Sequence, residues 1–125
     1  MINMNIVKWI PQILLAAAFL MAGLMKMFTP YEEIVATMAW TKDVSPILIK
    51  ILGLLEFLGA LGLILPMALK KWPILVPIAA ICLGLIMIPA MFIHLNLGEP
   101  IWANIVLLGI AIVVVWIRRD LFKVA

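Results

Sequence analysis

Charge is what this chain has least of. Nine Lys or Arg, six Asp or Glu and a single His are spread over 125 residues, so 12% of the chain is charged and 68% is hydrophobic. A water-soluble domain carries roughly 25% charged residues. A chain this short has a high surface-to-volume ratio and cannot turn so much apolar surface inward. Hydrocarbon must solvate the excess. Cysteine is nearly missing too: Cys82 stands alone, which excludes an intrachain disulfide, a CxxC redox pair and a cysteine-based zinc site. Its apolar run predicts a buried, inert thiol. No haem-ligand pair or iron–sulfur spacing occurs, so no metal and no intrinsic redox centre is expected, and no internal repeat is visible. The formal charge of +3 sits in clusters beside apolar runs, which indicates membrane orientation and not nucleic-acid binding.

Long apolar runs are what is there. Four uncharged or nearly uncharged stretches, 6–28, 46–69, 73–95 and 100–117, each approach the ~20 residues that span a ~30 Å hydrocarbon core. The expected fold is all-α: a four-transmembrane-helix bundle occupying 1–125 as a single membrane domain. The first run is too long for a signal-peptide core and ends in Gly23-Leu24-Met25-Lys26 instead of a small-x-small cleavage site, so it is expected to remain as a span. Ser45-Pro46 supplies an N-cap and an N1 proline; Gly98 and Pro100 close the third span and open the fourth. Trp9, Trp40, Trp72, Trp102 and Trp116 fall near span ends, as in an aromatic belt. Between the first two spans, Thr29-Pro30-Tyr31-Glu32 reads as a capping box. The stretch that follows interleaves Ile34, Val35 and Met38 with polar residues and predicts a short interfacial helix over about 30–40.

Lys8, Lys70, Lys71, Arg118, Arg119 and Lys123 fall on one side of these spans; Lys26, Lys42 and Lys50 fall at or beyond the other. The excess of cations on the first side predicts a multi-pass protein of the cell membrane with both termini cytoplasmic, and an outward loop carrying Glu32, Glu33 and Asp43.

Polar groups within spans are costly, and each needs a partner or a function. Glu56 lies nine residues into the second span, ~14 Å deep at 1.5 Å per residue, with Gly53 and Ala60 on its face and Gly59 adjacent, where another helix could approach closely. Lys26 lies near the outer end of the first span. Helical side chains tilt toward their own N-terminus, so in antiparallel spans Lys26 and Glu56 lean toward each other. An estimated depth gap of ~10 Å from the helical rise leaves room for a water or ligand between them. By the same reasoning His94, closing the third span, leans inward, and Asn104, opening the fourth, leans outward. Pro89 removes a backbone hydrogen bond five residues before His94 and predicts a kink there. Lys26, Glu56, His94 and Asn104 are therefore the expected lining of an outward-opening cavity for a small polar-headed, lipid-soluble molecule. The alternative is that Glu56 and Lys26 only pin the bundle together.

Three blocks resemble the DoxX-like family of small four-helix membrane proteins. They are Ala16-Ala17-Ala18-Phe19 through Gly23-x-x-Lys26; Gly53-Leu54-Leu55-Glu56-x-x-Gly59-Ala60-Leu61-Gly62-Leu63; and His94-Leu95-x-x-Gly98-Glu99. The resemblance covers essentially the whole chain and implies a fold more than a reaction. Relatives in that family are linked to thiosulfate:quinone oxidoreductase subunits, oxidative-stress membrane complexes and quinone or catechol responses; a distant animal branch resembles receptor-assembly chaperones. By position, the resemblance makes Lys26, Glu56 and His94 the functional polar residues.

Three functions stay open. The leading one is a redox-associated accessory subunit that binds a quinone-like molecule, with a membrane or peripheral oxidoreductase as partner. The second is a non-catalytic assembly or scaffold factor; Ala18 and Ala22 would permit close packing within the bundle or across a homodimer. The third is a small proton-coupled transporter, which Lys26 disfavours because a cation beside the acid competes with a cationic substrate.

Overall fold

A computed structural model describes residues 4–123; the outermost residues 1–3 and 124–125 of the expected membrane domain lie outside the described residues. The chain is all-helical. Its helices are α1 (Met4–Phe28), α2 (Tyr31–Thr37), α3 (Pro46–Ala68), α4 (Leu75–Asn96) and α5 (Trp102–Ile117), with 3-10 segments at Ala39–Asp43 and Arg119–Lys123. No strand occurs among the described residues.

α1, α3 and α4 are each long and apolar enough to cross a membrane. α5 has 16 residues, ~24 Å at 1.5 Å per residue. It starts later than the expected 100–117 run because Pro100 does not take the first helical position; Ile101 is the N-cap and Trp102 begins the helix. The bundle turns its apolar surface outward. On α3 the buried residues Ile49, Gly53, Glu56, Ala60, Leu63 and Pro66 form one narrow stripe, while Ile47, Leu48, Ile51, Leu54, Leu55 and Leu58 are exposed. That is a helix designed for a hydrocarbon solvent, and the chain is a membrane protein. The core proper gathers Leu15, Ala16 and Phe19 of α1, Ala60 and Leu63 of α3, Val76 to Met87 of α4, and Ala111 and Val114 of α5.

Local chemistry explains most boundaries. Ser45 accepts from the Ile47 backbone N–H, with Pro46 at the first position of α3, as a serine N-cap followed by proline should. α4 ends in a Schellman turn: Gly98, at φ +73, donates to the Leu95 carbonyl, and Glu99 donates to the His94 carbonyl. A side chain at Gly98 would strain that conformation.

Three expectations are corrected. The Thr29 capping box is not formed. The Thr29 N–H still bonds Met25 as the last turn of α1, and α2 begins beyond Pro30, whose carbonyl accepts from Glu33 and Ile34. The helix expected over 30–40 ends at Thr37. Met38 is extended at φ −124 and ψ 95 before the 3-10 segment starts, and the Thr37 hydroxyl has turned back onto the Glu33 and Ile34 carbonyls. Cys82 is exposed and not buried: the inward stripe of α4 passes through Ala79, Ala80, Leu83 and Gly84, leaving position 82 on the outer face.

The connections place two ends. One, the terminal end, holds the start of α1, the α3–α4 turn and Arg118. The other, the loop end, holds the α1–α3 connection and the α4–α5 turn.

Candidate functional site

The loop-end site begins with two glycines. A Cβ on Gly23 would lie 2.6 Å from the Gly53 carbonyl oxygen, and one on Gly53 would lie 2.8 Å from the Gly23 oxygen. The α1 and α3 backbones therefore touch here, which only glycine permits. Lys26 stands one turn beyond Gly23 toward the loop end. Glu56 stands one turn beyond Gly53 in the opposite direction, so the two Cα levels differ by ~9 Å. Each side chain tilts toward its own helix N-terminus and thus toward the other. They meet directly, Lys26 Nζ to Glu56 Oε1 at 2.8 Å. The expected water or ligand between them is corrected: the tilt and the length of the lysine stem close the axial gap once the helices are in backbone contact.

Both partners are buried, Lys26 8% and Glu56 2% exposed. Oε1 has no partner that meets hydrogen-bond geometry among the described residues, so its contact with the ammonium is an ion pair. The pair is electrostatically matched but has hydrogen-bonding capacity in reserve.

Beside it lies a cavity of about 350 Å³. All four residues singled out from sequence line it: Lys26 from α1, Glu56 from α3, His94 from α4 and Asn104 from α5. The remaining lining is apolar, including Leu52, Ile86, Met87, Pro89 and Ile93. α4 continues as helix through Pro89. His94 Nδ1 contacts Glu99 Oε1 at 3.0 Å, because the Schellman turn folds residue 99 back over residue 94. That leaves Nε2 as the ring nitrogen for another partner. Asn104 Nδ2 makes only a long contact of 3.8 Å to Met87 Sδ, so its amide is weakly engaged.

Two lining residues and one partner were not identified as such from sequence. Met38 and Trp40 reach the cavity from the α1–α3 connection, although position near a span end suggests only a belt role for Trp40. The Tyr31 hydroxyl pins that connection through contacts at 3.1–3.4 Å to the Thr41, Lys42 and Val44 carbonyls. Thr41 is fully buried and donates to the Met38 carbonyl at 2.6 Å. Glu99 is the partner of His94; its signal was the five-residue spacing across a glycine that ends a helix.

The terminal end holds a second polar cluster that sequence reasoning missed. Gln12 is fully buried. Its amide donates to the Leu63 carbonyl at 2.6 Å, and its oxygen accepts from Arg118 Nε at 2.9 Å. Arg118 is 6% exposed and lies over the Trp9 ring at 5.7 Å. The available signal was position: Gln12, Leu15, Phe19, Gly23 and Lys26 follow one helical stripe. This cluster ties α1, α3 and the end of α5 together.

A helical shell with an apolar outer surface around a polar-lipped cavity at one end defines a small helical membrane protein with a candidate functional site. The chain belongs to the DoxX-like family, whose family model matches residues 10–123. No curated protein and no solved structure matches it.

Proposed function

We propose that the loop-end cavity binds a quinone-like, lipid-soluble molecule and that the protein serves as an accessory subunit of a membrane or peripheral oxidoreductase. The observation that carries the binding reading is the convergence of Lys26, Glu56, His94 and Asn104, from four helices, on one mostly apolar cavity of about 350 Å³. A flat, largely apolar ring fits such a lining. A carbonyl oxygen would accept from Asn104, and the hydroxyls of the reduced form would donate to Glu56 and to His94 Nε2, the acceptor left when Nδ1–H faces the Glu99 carboxylate. The oxidoreductase association rests on the family resemblance.

The topology belongs to the same reading. α5 is the fourth span: at ~24 Å it falls a few ångströms short of the hydrocarbon thickness, a mismatch that bilayers absorb by local thinning. The terminal end then faces the cytoplasm, where Lys8, Lys70, Lys71, Arg118, Arg119 and Lys123 satisfy the positive-inside bias. α2 and the 3-10 segment lie in the outer interface, and Met38 and Trp40 of this connection reach the cavity.

The test is thermal stabilisation of the purified protein by a short-chain quinone and its quinol. Stabilisation that disappears in His94→Ala and Asn104→Leu, with unchanged unliganded Tm, supports the site. One observation favours a second reading, a structural pin: Lys26 and Glu56 already contact each other at 2.8 Å. If Glu56→Gln lowers the unliganded Tm while ligand stabilisation survives intact, the pair only holds the bundle, and a scaffold role replaces ligand binding by these two residues. The transporter reading gains nothing, because the buried acid is already neutralised by its lysine.

A further inference from the structure

A second concavity runs between α4 and α5, on the outer surface of the bundle, with a volume of about 550 Å³. Its lining is apolar except at one end. Small residues make the floor: a Cβ on Gly84 would meet Leu108 Cδ1 at 3.5 Å and Ala111 Cβ at 3.6 Å, ordinary van der Waals contact, so a methyl group fits there and a larger side chain would rise into the groove. Ile88 and Leu108 mark one end of the groove; Trp116 and Arg119 mark the other. From Leu108 to Arg119 the chain advances ~16 Å at helical rise, close to half of a ~30 Å hydrocarbon core. The groove is one leaflet deep.

Its charged end is organised. The Arg119 guanidinium lies 4.3 Å from the Trp116 ring centroid, and Nη1 donates to the Trp116 carbonyl at 2.7 Å. The stack holds the exposed cation at the groove mouth with most of its five donors unspent. The whole terminal end is cationic. It carries six of the nine Lys and Arg and, of the six acids, only Asp120; the loop end carries Glu32, Glu33, Asp43 and Glu99.

We infer that the α4–α5 groove seats one acyl chain of an anionic phospholipid from the leaflet at the terminal end, with its phosphate on Arg119. A concavity facing hydrocarbon fills with a chain, since an empty one would forfeit the contacts of its walls. Groove length matches a single leaflet, and the cation at the mouth selects the headgroup. This site is separate from the loop-end cavity and stands whether or not that cavity binds a ligand.

Native mass spectrometry of delipidated protein with phosphatidylglycerol and phosphatidylcholine of equal chain length tests it. One phosphatidylglycerol per chain is expected, held about fivefold over phosphatidylcholine, the discrimination that one arginine supplies near an anionic surface. Arg119→Gln should bring the two lipids to parity. Gly84→Leu, which fills the floor, should remove the bound lipid of either headgroup; Ile112→Trp, at an exposed wall position, serves if the leucine variant does not fold. A headgroup preference that survives Arg119→Gln overturns the inference, as does equal retention by the wild type. So does disulfide crosslinking of two copies through Ile112→Cys in a Cys82→Ser background, which would give the groove to a second chain.

Discussion

The two ends of the bundle solve the same problem differently. At each, a cation is buried against a residue from another helix. At the terminal end, Arg118 lies over Trp9 and bonds Gln12, which bonds the Leu63 carbonyl; neither residue lines the loop-end cavity or the α4–α5 groove. At the loop end, Lys26 and Glu56 meet at 2.8 Å beside about 350 Å³ of space, with His94 and Asn104 on its rim. Each cluster keeps one buried atom without a hydrogen-bond partner among the described residues, Arg118 Nη2 and Glu56 Oε1; the difference is that the loop-end pair borders a cavity into which that capacity can be directed. Burial alone does not distinguish them, because all four side chains are less than a tenth exposed.

The largest effect should come from breaking the loop-end pair one-sidedly. Glu56→Ala strands a buried ammonium and is expected to cost roughly 3–5 kcal/mol of stability, read by thermal unfolding in detergent. The double replacement Lys26→Met with Glu56→Leu removes both charges and should recover most of that loss. In it, stability and quinone stabilisation part company: the first returns and the second does not. If both return, the cavity's charges have no part in binding.

Next is the backbone contact on which the pair depends. Gly53→Ala sets a Cβ 2.8 Å from both the Gly23 oxygen and Lys26 Cβ, and should cost about 1–3 kcal/mol as the helices part. The terminal end offers the control of similar size. Gln12→Leu deprives Arg118 Nε of its acceptor and leaves the Leu63 carbonyl without its interhelical donor, for roughly 1–3 kcal/mol, with no change in ligand-dependent stabilisation. A terminal-end variant that altered ligand binding would erase the distinction between the two regions.

The smallest stability effects fall on the cavity's supports. Glu99→Gln, at a half-buried position, should change stability by under about 1 kcal/mol and yet weaken ligand binding by freeing the His94 ring. Tyr31→Phe removes the hydroxyl that holds the Trp40 segment; it should cost about 1 kcal/mol and increase hydrogen exchange at residues 39–44 selectively.

Much of the loop-end site could be read from sequence because polar residues in apolar helices are rare and their tilt is set by helix direction. Lys26, Glu56, His94 and Asn104 were each conspicuous in that way. What could not be read was their closeness. The depth estimate treated helices as cylinders at ordinary separation, whereas Gly23 and Gly53 bring two backbones into contact and let the lysine reach the acid. Gln12 escaped notice because a neutral amide near a span end looks unremarkable until a helix from the far end of the chain supplies its arginine. Cys82 was misjudged because all residues in an apolar run look equally buried when hydrocarbon, and not protein, can cover them.

Composition by itself determined the solvent: so little charge on so short a chain requires hydrocarbon, and the spacing of caps and prolines divided the apolar runs into helices. Local hydrogen bonding is enough for that. Which polar groups meet, which stay sealed and where space remains were decided by tertiary structure alone, because helix separation depends on the pair of residues at each crossing and no single segment contains both.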